Sequence, residues 1–235
     1  MLSLDGVQIT QDAFSLAANW AVPQGARVAL IGPSGAGKST LLLAIAGFLP
    51  LTKGCILMAG KDLAPLSPGD RPLSLLFQDQ NLFPHLTIAQ NLGLGLNPTL
   101  KLTPDQHVQI TQALDRVGLA GMGARKPASL SGGQQGRASL ARALLRSRPL
   151  LLLDEPFAAL GPALKAEMLD LVAQVAATTA ATVLMVTHDP NDAKRFADQT
   201  VVVSDGTAHS PEPTAALFAN PPPALALYLG DRAGV

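Results

Sequence analysis

The chain has 235 residues, of which 48% are hydrophobic, and 17 lysines and arginines balance 17 aspartates and glutamates. This neutral balance gives no overall field that attracts nucleic acid or anionic lipid, which argues against a nucleic-acid-binding role. A single cysteine, Cys55, excludes an intramolecular disulfide and suits a reducing compartment. The first residues lack the features of a signal peptide, and no apolar run reaches the roughly 20 residues that span a bilayer. We therefore expect a soluble, cytoplasmic chain.

The first third of the chain is expected to form short strands around one helix. Residues 39–48 are almost entirely apolar and predict the helix. Apolar runs and alternating patterns predict strands over residues 2–9, 20–22, 27–31, 54–58 and 73–77.

The character of the sequence changes between residues 79 and 147. Helical patterns cover residues 88–94, 104–117 and 134–147, and no convincing strand lies between them. We interpret residues 79–147 as a helical subdomain inserted into an α/β core.

The core is expected to resume with four consecutive leucines, which suit a parallel strand covered on both faces. Little regular structure is expected in the tail over residues 211–235, which contains three consecutive prolines. Strands alternating with helices imply an α/β fold with a mainly parallel, doubly wound sheet. The remaining predicted elements are a strand over residues 150–153, a helix over 162–177, a strand over 182–187, a short helix over 192–197 and a strand over 200–204.

One glycine-rich loop carries the strongest functional signal. It fits G-x-x-x-x-G-K-[ST], and it lies between a predicted strand and a predicted helix, the context in which backbone N–H groups cradle phosphates. Lys38 would reach the β- and γ-phosphates, and the Ser39 hydroxyl would ligate Mg²⁺. The alternative, a glycine-rich turn with a surface lysine, is disfavoured because that context is present. The loop residues are Gly32, Pro33, Ser34, Gly35, Ala36, Gly37, Lys38, Ser39 and Thr40.

Two acidic residues, Asp154 and Glu155, follow the leucine strand. Ligands bind beyond the carboxyl ends of strands in an open parallel sheet, so both carboxylates are expected at the phosphate loop. Asp154 would hold Mg²⁺, and Glu155 would polarise the attacking water. Taken alone, the pair is equally compatible with a solvated acidic turn.

A second glycine-rich helix start lies at Ser131, Gly132, Gly133 and Gln134. It is suited to bind an anion by the same physics as the phosphate loop. The plainer interpretation is a serine N-cap followed by a glycine hinge. The segment lies about twenty residues before the acidic pair, and this combination favours a functional role.

At these residues the chain resembles the ATP-binding subunits of ABC transporters over nearly its whole length. The resemblance implies that Gln78 senses Mg²⁺ and the γ-phosphate, and that His188 bonds the γ-phosphate and aligns Glu155. It also implies that Ser131 to Gln134 face the phosphate loop of a second copy, with two ATP molecules between the subunits of a homodimer. The resemblance rests on residues 32–40, Gln78, residues 130–134, residues 150–155 and His188, in the family's order and spacing.

Within this family, residues 73–102 look like bacterial thiamine importer ATPases. That likeness implies transmembrane permease subunits, docked near Phe83, Pro84 and His85, and indirectly a periplasmic binding protein. It places the chain on the cytoplasmic face of the inner membrane. Iron, a polyamine or an oxyanion are alternative solutes, and a non-transport ABC ATPase or a small-molecule kinase are further alternatives.

Two of the departures from the family pattern bear on adenine binding and on the coupling between the ATP sites. Relatives usually place an aromatic residue near positions 9–13 to stack on adenine, and Phe14 is the nearest candidate here. The family's aspartate in the turn after the catalytic glutamate is replaced by Gly161. The loss of that carboxylate is expected to weaken the coupling between the two ATP sites.

Overall fold

A computed structural model of the protein describes residues 1–77 and 82–230. Its strands are β1 (Leu2–Gln11), β2 (Phe14–Val22), β3 (Arg27–Ile31), β4 (Lys53–Met58), β5 (Lys61–Asp62), β6 (Leu73–Leu76), β7 (Leu150–Asp154), β8 (Thr182–Val186), β9 (Gln199–Ser204), β10 (Thr207–Ala208) and β11 (Glu212–Pro213). Its α-helices are α1 (Lys38–Ala46), α2 (Ile88–Gly93), α3 (Pro104–Arg116), α4 (Gly132–Leu145), α5 (Pro162–Thr179), α6 (Pro190–Phe196), α7 (Thr214–Ala219) and α8 (Pro223–Leu229).

The strands form one sheet, one half of which is parallel and ends at the edge strand β6. Its order is β5-β4-β1-β2-β10-β9-β3-β8-β7-β6, with β11 paired to β9. Strands β9, β3, β8, β7 and β6 run parallel, whereas β1, β2, β4 and β5 pair antiparallel. The prediction of an α/β fold is therefore confirmed, with an antiparallel N-terminal extension of the sheet.

The four leucines of β7 explain why the parallel part of the sheet is covered by helices on both faces. All four are at most 5% exposed. Leu150 and Leu152 join the core cluster that contains α1, while Leu151 and Leu153 join the cluster that contains α5. Successive side chains of a strand point to opposite faces, so an unbroken apolar run requires a helix layer on each side.

Between β6 and β7, the described residues 82–149 contain helices α2, α3 and α4, joined by turns and loops, and no strand. This segment has its own apolar cluster, to which Ile88, Leu114 and Ala138 contribute. Helices α2, α3 and α4 each begin at a capping box, with Thr87, Thr103 and Ser131 as the N-cap residues. In such a box the N-cap hydroxyl accepts the N3 backbone N–H, and the N3 glutamine accepts the N-cap N–H.

Two parts of the chain differ from the sequence prediction. Strand β2 begins at Phe14 rather than at residue 20, because it pairs along its length with β1. The tail forms β11, α7 and α8 instead of irregular structure, because Leu217 and Leu225 bury their side chains beside Ile31. No helix within residues 1–77 and 82–230 has both the length and the apolar content of a membrane span.

Candidate nucleotide site

The glycine-rich loop connects the buried strand β3 to α1. Gly32 has φ 154°, and a Cβ built there would collide with the backbone carbonyl of Val203. Gly37 is the N-cap of α1, has φ 100° and provides no side-chain cap. Glycine is therefore required at Gly32 by a close approach and at Gly37 by a left-handed backbone. The α1 N-terminus that follows favours an anion, since its first N–H groups have no partner inside the helix.

Lys38 lies inside this loop and is only 7% exposed. Its Nζ donates hydrogen bonds to the carbonyl oxygens of Gly32, at 2.8 Å, and Pro33, at 2.7 Å. Burial lowers the pKa of Lys38, while the carboxylates of Glu155 and Asp154 act to raise it. A buried ammonium group thus stands at the loop, where it can meet a phosphate oxygen.

Ser39 and Asp154 meet directly, although they come from different elements. The Ser39 Oγ donates to Asp154 Oδ1 at 3.0 Å. Burial raises the pKa of Asp154, and the hydrogen bond from Ser39 acts to lower it. A hydroxyl and a carboxylate are hard oxygen ligands, which Mg²⁺ prefers. Among the described residues no group of three or more His, Cys, Asp or Glu side chains could hold a metal ion. The two oxygen ligands of Ser39 and Asp154 suit an ion that brings its own phosphate and water ligands.

Glu155 and His188 form the second pair at this sheet edge. The His188 Nδ1 lies 3.1 Å from Glu155 Oε2. Glu155 follows β7 directly, and its N–H donates to the carbonyl of Val186, at the end of β8, at 3.1 Å. Its φ is 45°, a left-handed conformation that is unusual for a residue with a side chain. The adjacent ends of β7 and β8 thus bring together two groups that are 33 residues apart in sequence.

A polar network that the sequence analysis missed supports the segment after His188. The Lys165 Nζ lies 2.8 Å from Asp189 Oδ2 and 3.1 Å from Asp192 Oδ1. The Thr187 hydroxyl donates to Asp192 Oδ2 at 2.8 Å. Burial alone would lower the pKa of Lys165, but its bonds to Asp189 and Asp192 raise it. The bond from Lys165 in turn lowers the pKa of Asp189.

The start of α4 is built on different supports from the phosphate loop. Helix α4 packs against α2, α3 and β6, whereas α1 packs against β7 and β8. Ser131 Oγ accepts the N–H of Gln134 at 3.3 Å, and the Gln134 Oε1 accepts the N–H of Ser131 at 2.9 Å. Ser131 and Gly132 are exposed. A Cβ on Gly133 would come within 2.9 Å of Leu160, so the turn after Glu155 lies against this helix start.

Three further residues belong to the predicted site. Gln78 lies outside the described residues, so its assigned role stays a prediction. Phe14 begins β2, and its ring lies against Gly37 beside the phosphate loop. Gly161 is the N-cap of α5 with φ −66° and ψ 157°.

These features define a P-loop nucleotide-binding domain. They are the parallel part of the sheet, the glycine loop with its buried lysine, and the acidic residues at the strand ends. The sequence description of the ABC transporter family matches residues 17–158. The chain belongs to that family and is an ATP-binding ABC ATPase.

Relatives and a solved structure extend over almost the whole chain. A protein of Cereibacter sphaeroides named thiamine import ATP-binding protein ThiQ is 66% identical over 230 residues, which is 98% of this chain and 100% of the relative. The protein of the same name from Ruegeria sp. is 56% identical over 230 residues, with the same coverage. A dimeric ATP-binding cassette in a post-hydrolysis state, bound to ADP and Pi, matches with a TM-score of 0.81 at 28% identity, covering 91% of this chain and 99% of that one. The predicted resemblance to ABC importer ATPases of the thiamine type is confirmed.

Proposed function

We propose that this chain is the ATP-hydrolysing subunit that energises import of thiamine, or its phosphates, through separate membrane permease subunits. The observation that carries the proposal is 66% identity to a thiamine import ATP-binding protein along that protein's entire length. The chain then works as a peripheral protein on the cytoplasmic face of the inner membrane. A periplasmic binding protein delivers the solute to the permease and is only an indirect partner.

Nucleotide binding is assigned to the phosphate loop. The backbone N–H groups of residues 34–40 surround the β- and γ-phosphates, and Lys38 exchanges its carbonyl partners for phosphate oxygens. Ser39 and Asp154 would hold Mg²⁺, with Gln78 as a third expected ligand. The ion, when bound, neutralises charge on the phosphates. The close pairing of Ser39 Oγ with Asp154 Oδ1 at 3.0 Å supports this assignment.

Hydrolysis is assigned to Glu155 and His188. The Glu155 carboxylate orients the attacking water and accepts its proton, while Lys38 and the loop N–H groups stabilise charge on the transferring phosphoryl group. His188 holds Glu155 in position and donates to the γ-phosphate. The contact of 3.1 Å between His188 Nδ1 and Glu155 Oε2 supports a shared role.

The assembly we infer is a homodimer in which Ser131, Gly132, Gly133 and Gln134 contact ATP bound to a second copy. Ser131 and Gly132 are exposed at the start of a helix of 14 residues, which suits them to an external phosphate. The structural relative is itself described as dimeric. Helices over residues 79–147 then form the subdomain that carries this segment, and residues 211–235 form a C-terminal extension of the ATPase domain.

The permease is expected to dock beside Phe83. This side chain is 47% exposed, and its ring lies 6.1 Å from that of His85. A cavity of about 280 Å³ adjoins Phe83 and is also lined by Leu94, Arg142 and Arg146. An exposed aromatic side chain beside a partly apolar cavity suits the insertion of a short helix from a partner.

Solute uptake tests the proposal. In a strain without this gene, uptake of labelled thiamine should fall selectively, while uptake of a labelled amino acid and of iron is retained. The wild-type chain and Lys61→Ala, a control at an exposed lysine of β5, should restore thiamine uptake, whereas Lys38→Ala should not. Unchanged thiamine uptake in the deletion strain, with no redundant importer present, would exclude thiamine as the solute.

A further inference from the structure

The last helix reaches the site through its single tyrosine. The Tyr228 hydroxyl donates a hydrogen bond to the backbone carbonyl of His188 at 2.6 Å. It joins two parts of the chain that are 40 residues apart. Tyr228 is the only tyrosine in the sequence. No motif of the family resemblance includes this position, so none of the roles assigned above accounts for the contact.

Helix α8 is held firmly enough to place that hydroxyl. Leu225 is fully buried and packs in a cluster with Ile31, Val202 and Leu217, and the Tyr228 ring lies against the same cluster. Gly230 ends the helix in a left-handed conformation. Because Ile31 immediately precedes the phosphate loop, one apolar cluster supports both that loop and the tyrosine.

His188 needs such support because its own side chain is 60% exposed. Few packing contacts fix an exposed ring, so its direction depends on the backbone that carries it. That backbone is held by Tyr228, through the His188 carbonyl, and by Lys165, through the Asp189 side chain. A shift of the His188 backbone away from Tyr228 would break the Tyr228 bond and move the imidazole relative to Glu155.

We propose that Tyr228 is a positioning residue for ATP hydrolysis: its hydroxyl fixes the His188 carbonyl and thereby keeps the imidazole directed at Glu155. This inference rests on the roles proposed above for Glu155 and His188. Burial, and then the negative charges of Glu155 and Asp189, raise the pKa of Tyr228. The phenol is therefore protonated at neutral pH and acts as a donor.

The first test is Tyr228→Phe in the full-length chain, which removes the hydroxyl and keeps the ring. The expected result is a kcat for ATP hydrolysis lower by about five- to tenfold, the rate equivalent of one ordinary hydrogen bond. The KM for ATP and the thermal unfolding midpoint should stay near the wild-type values, since neither the phosphate loop nor the apolar cluster changes. Leu227→Ala is the matched control, because that neighbour on α8 is 78% exposed.

Glu155→Gln, measured in the same assay, separates the two levels of the proposal. If Glu155→Gln is inactive while Tyr228→Phe keeps the wild-type kcat, the positioning role is wrong and the hydrolytic site stands. If Tyr228→Phe lowers the unfolding midpoint and changes KM as much as kcat, its role is structural and the inference is overturned. If Glu155→Gln hydrolyses ATP like the wild type, the proposed site itself is wrong.

A second variant keeps the whole side chain and avoids any folding defect. Growth on 3-fluorotyrosine labels one position only, since the chain has one tyrosine. Fluorination lowers the pKa of the phenol, and a phenolate cannot donate to a carbonyl. The kcat of the fluorinated protein should therefore fall at a lower alkaline pH than that of the unmodified protein. Coincident pH profiles would overturn the inference.

Discussion

Two helix starts in this protein share their local physics and differ in what surrounds them. Helices α1 and α4 both begin in glycine-rich segments and both offer N–H groups to an anion. At α1 the same chain supplies a buried lysine bonded to loop carbonyls, a serine–aspartate pair and a histidine–glutamate pair. At α4 the Ser131 and Gln134 side chains each accept the backbone N–H of the other residue, and Ser131 and Gly132 are exposed. A helix start becomes a reaction site through the groups that the fold places opposite it.

The turn between Glu155 and Gly161 connects the two regions. Its Leu160 lies against Gly133 at the start of α4, and its first residue is paired with His188. Only a few residues therefore separate one helix start from the other. Substitutions at either end of this turn, or in the residues that support it, should distinguish the contributions of the α1 and α4 regions to turnover and stability.

The largest effect is expected at the α1 region. Glu155→Gln should lower ATP turnover by about a hundredfold or more, because the amide cannot accept the proton of the attacking water. ATP affinity should change little, since Lys38 and the loop are intact. Steady-state hydrolysis and equilibrium binding of a fluorescent ATP analogue measure the two quantities. Wild-type turnover in the variant would contradict the role of Glu155.

A smaller effect is expected when the α4 region is blocked. Ser131→Arg places a bulky side chain where a second copy is proposed to bring its ATP, and should lower turnover by about tenfold. Binding of ATP to the single chain should be retained, because Ser131 takes no part in the phosphate loop. Gln112→Arg, at an exposed position of α3, is the control. Unchanged turnover in Ser131→Arg would mean that the α4 start lies outside the catalytic assembly.

The support of His188 can be weakened without changing either helix start. Lys165→Met should lower the free energy of unfolding by about 1–2 kcal/mol at pH 7, because Asp189 and Asp192 lose their charged donor. Urea denaturation at several pH values measures this difference. Arg195→Met, which breaks an exposed pair with Asp170, should cost less.

The pH dependence of that difference follows from the two shifted groups. The pKa of Asp189 is lowered in the folded state, so its contribution is present above the unfolded value and disappears as pH falls through the folded one. The pKa of Lys165 is raised, so its contribution is lost only as pH rises through that raised value. The difference in free energy of unfolding between wild type and Lys165→Met should therefore become smaller below about pH 4. A difference that is constant down to pH 2 would contradict this assignment.

The smallest effect is a stabilisation at the far end of the turn. Gly161 has an extended backbone that suits an N-cap residue, and a Cβ there meets nothing within 4 Å. Gly161→Asp should raise the free energy of unfolding by about 0.5–1 kcal/mol, through the new cap and a less flexible unfolded chain. Gly161→Ala separates the two causes, since alanine reduces flexibility without capping. Urea denaturation of both variants should rank aspartate above alanine.

Sequence patterns predicted the parts of this molecule that depend on neighbouring residues. The buried strand β7, the glycine loop and the carboxylates at the end of β7 are each encoded in a few consecutive positions. The meeting of Ser39 with Asp154 was also predictable, because parallel strands end at one edge of the sheet. Local periodicity and strand topology together were enough to predict the glycine loop before α1 and the carboxylates beside it.

Long-range contacts account for what the sequence did not reveal. The first residues of β2 are defined by pairing with β1, and the helices of the tail by burial of Leu217 and Leu225. Lys165 reaches Asp189 across 24 residues, and Tyr228 reaches His188 across 40. No period or motif marks such pairs, because each side chain alone resembles an ordinary surface residue.

The left-handed backbone at Glu155 sets thermal stability against the proposed activity at this position. A non-glycine residue in that region carries a conformational cost of about 1–2 kcal/mol, which glycine avoids and asparagine reduces. Selection for thermal stability alone would favour glycine or asparagine at position 155. A screen for heat-resistant variants that omits an activity test should therefore enrich catalytically dead chains at this position. The residue to which we assign the attacking water is thus also a site of avoidable instability.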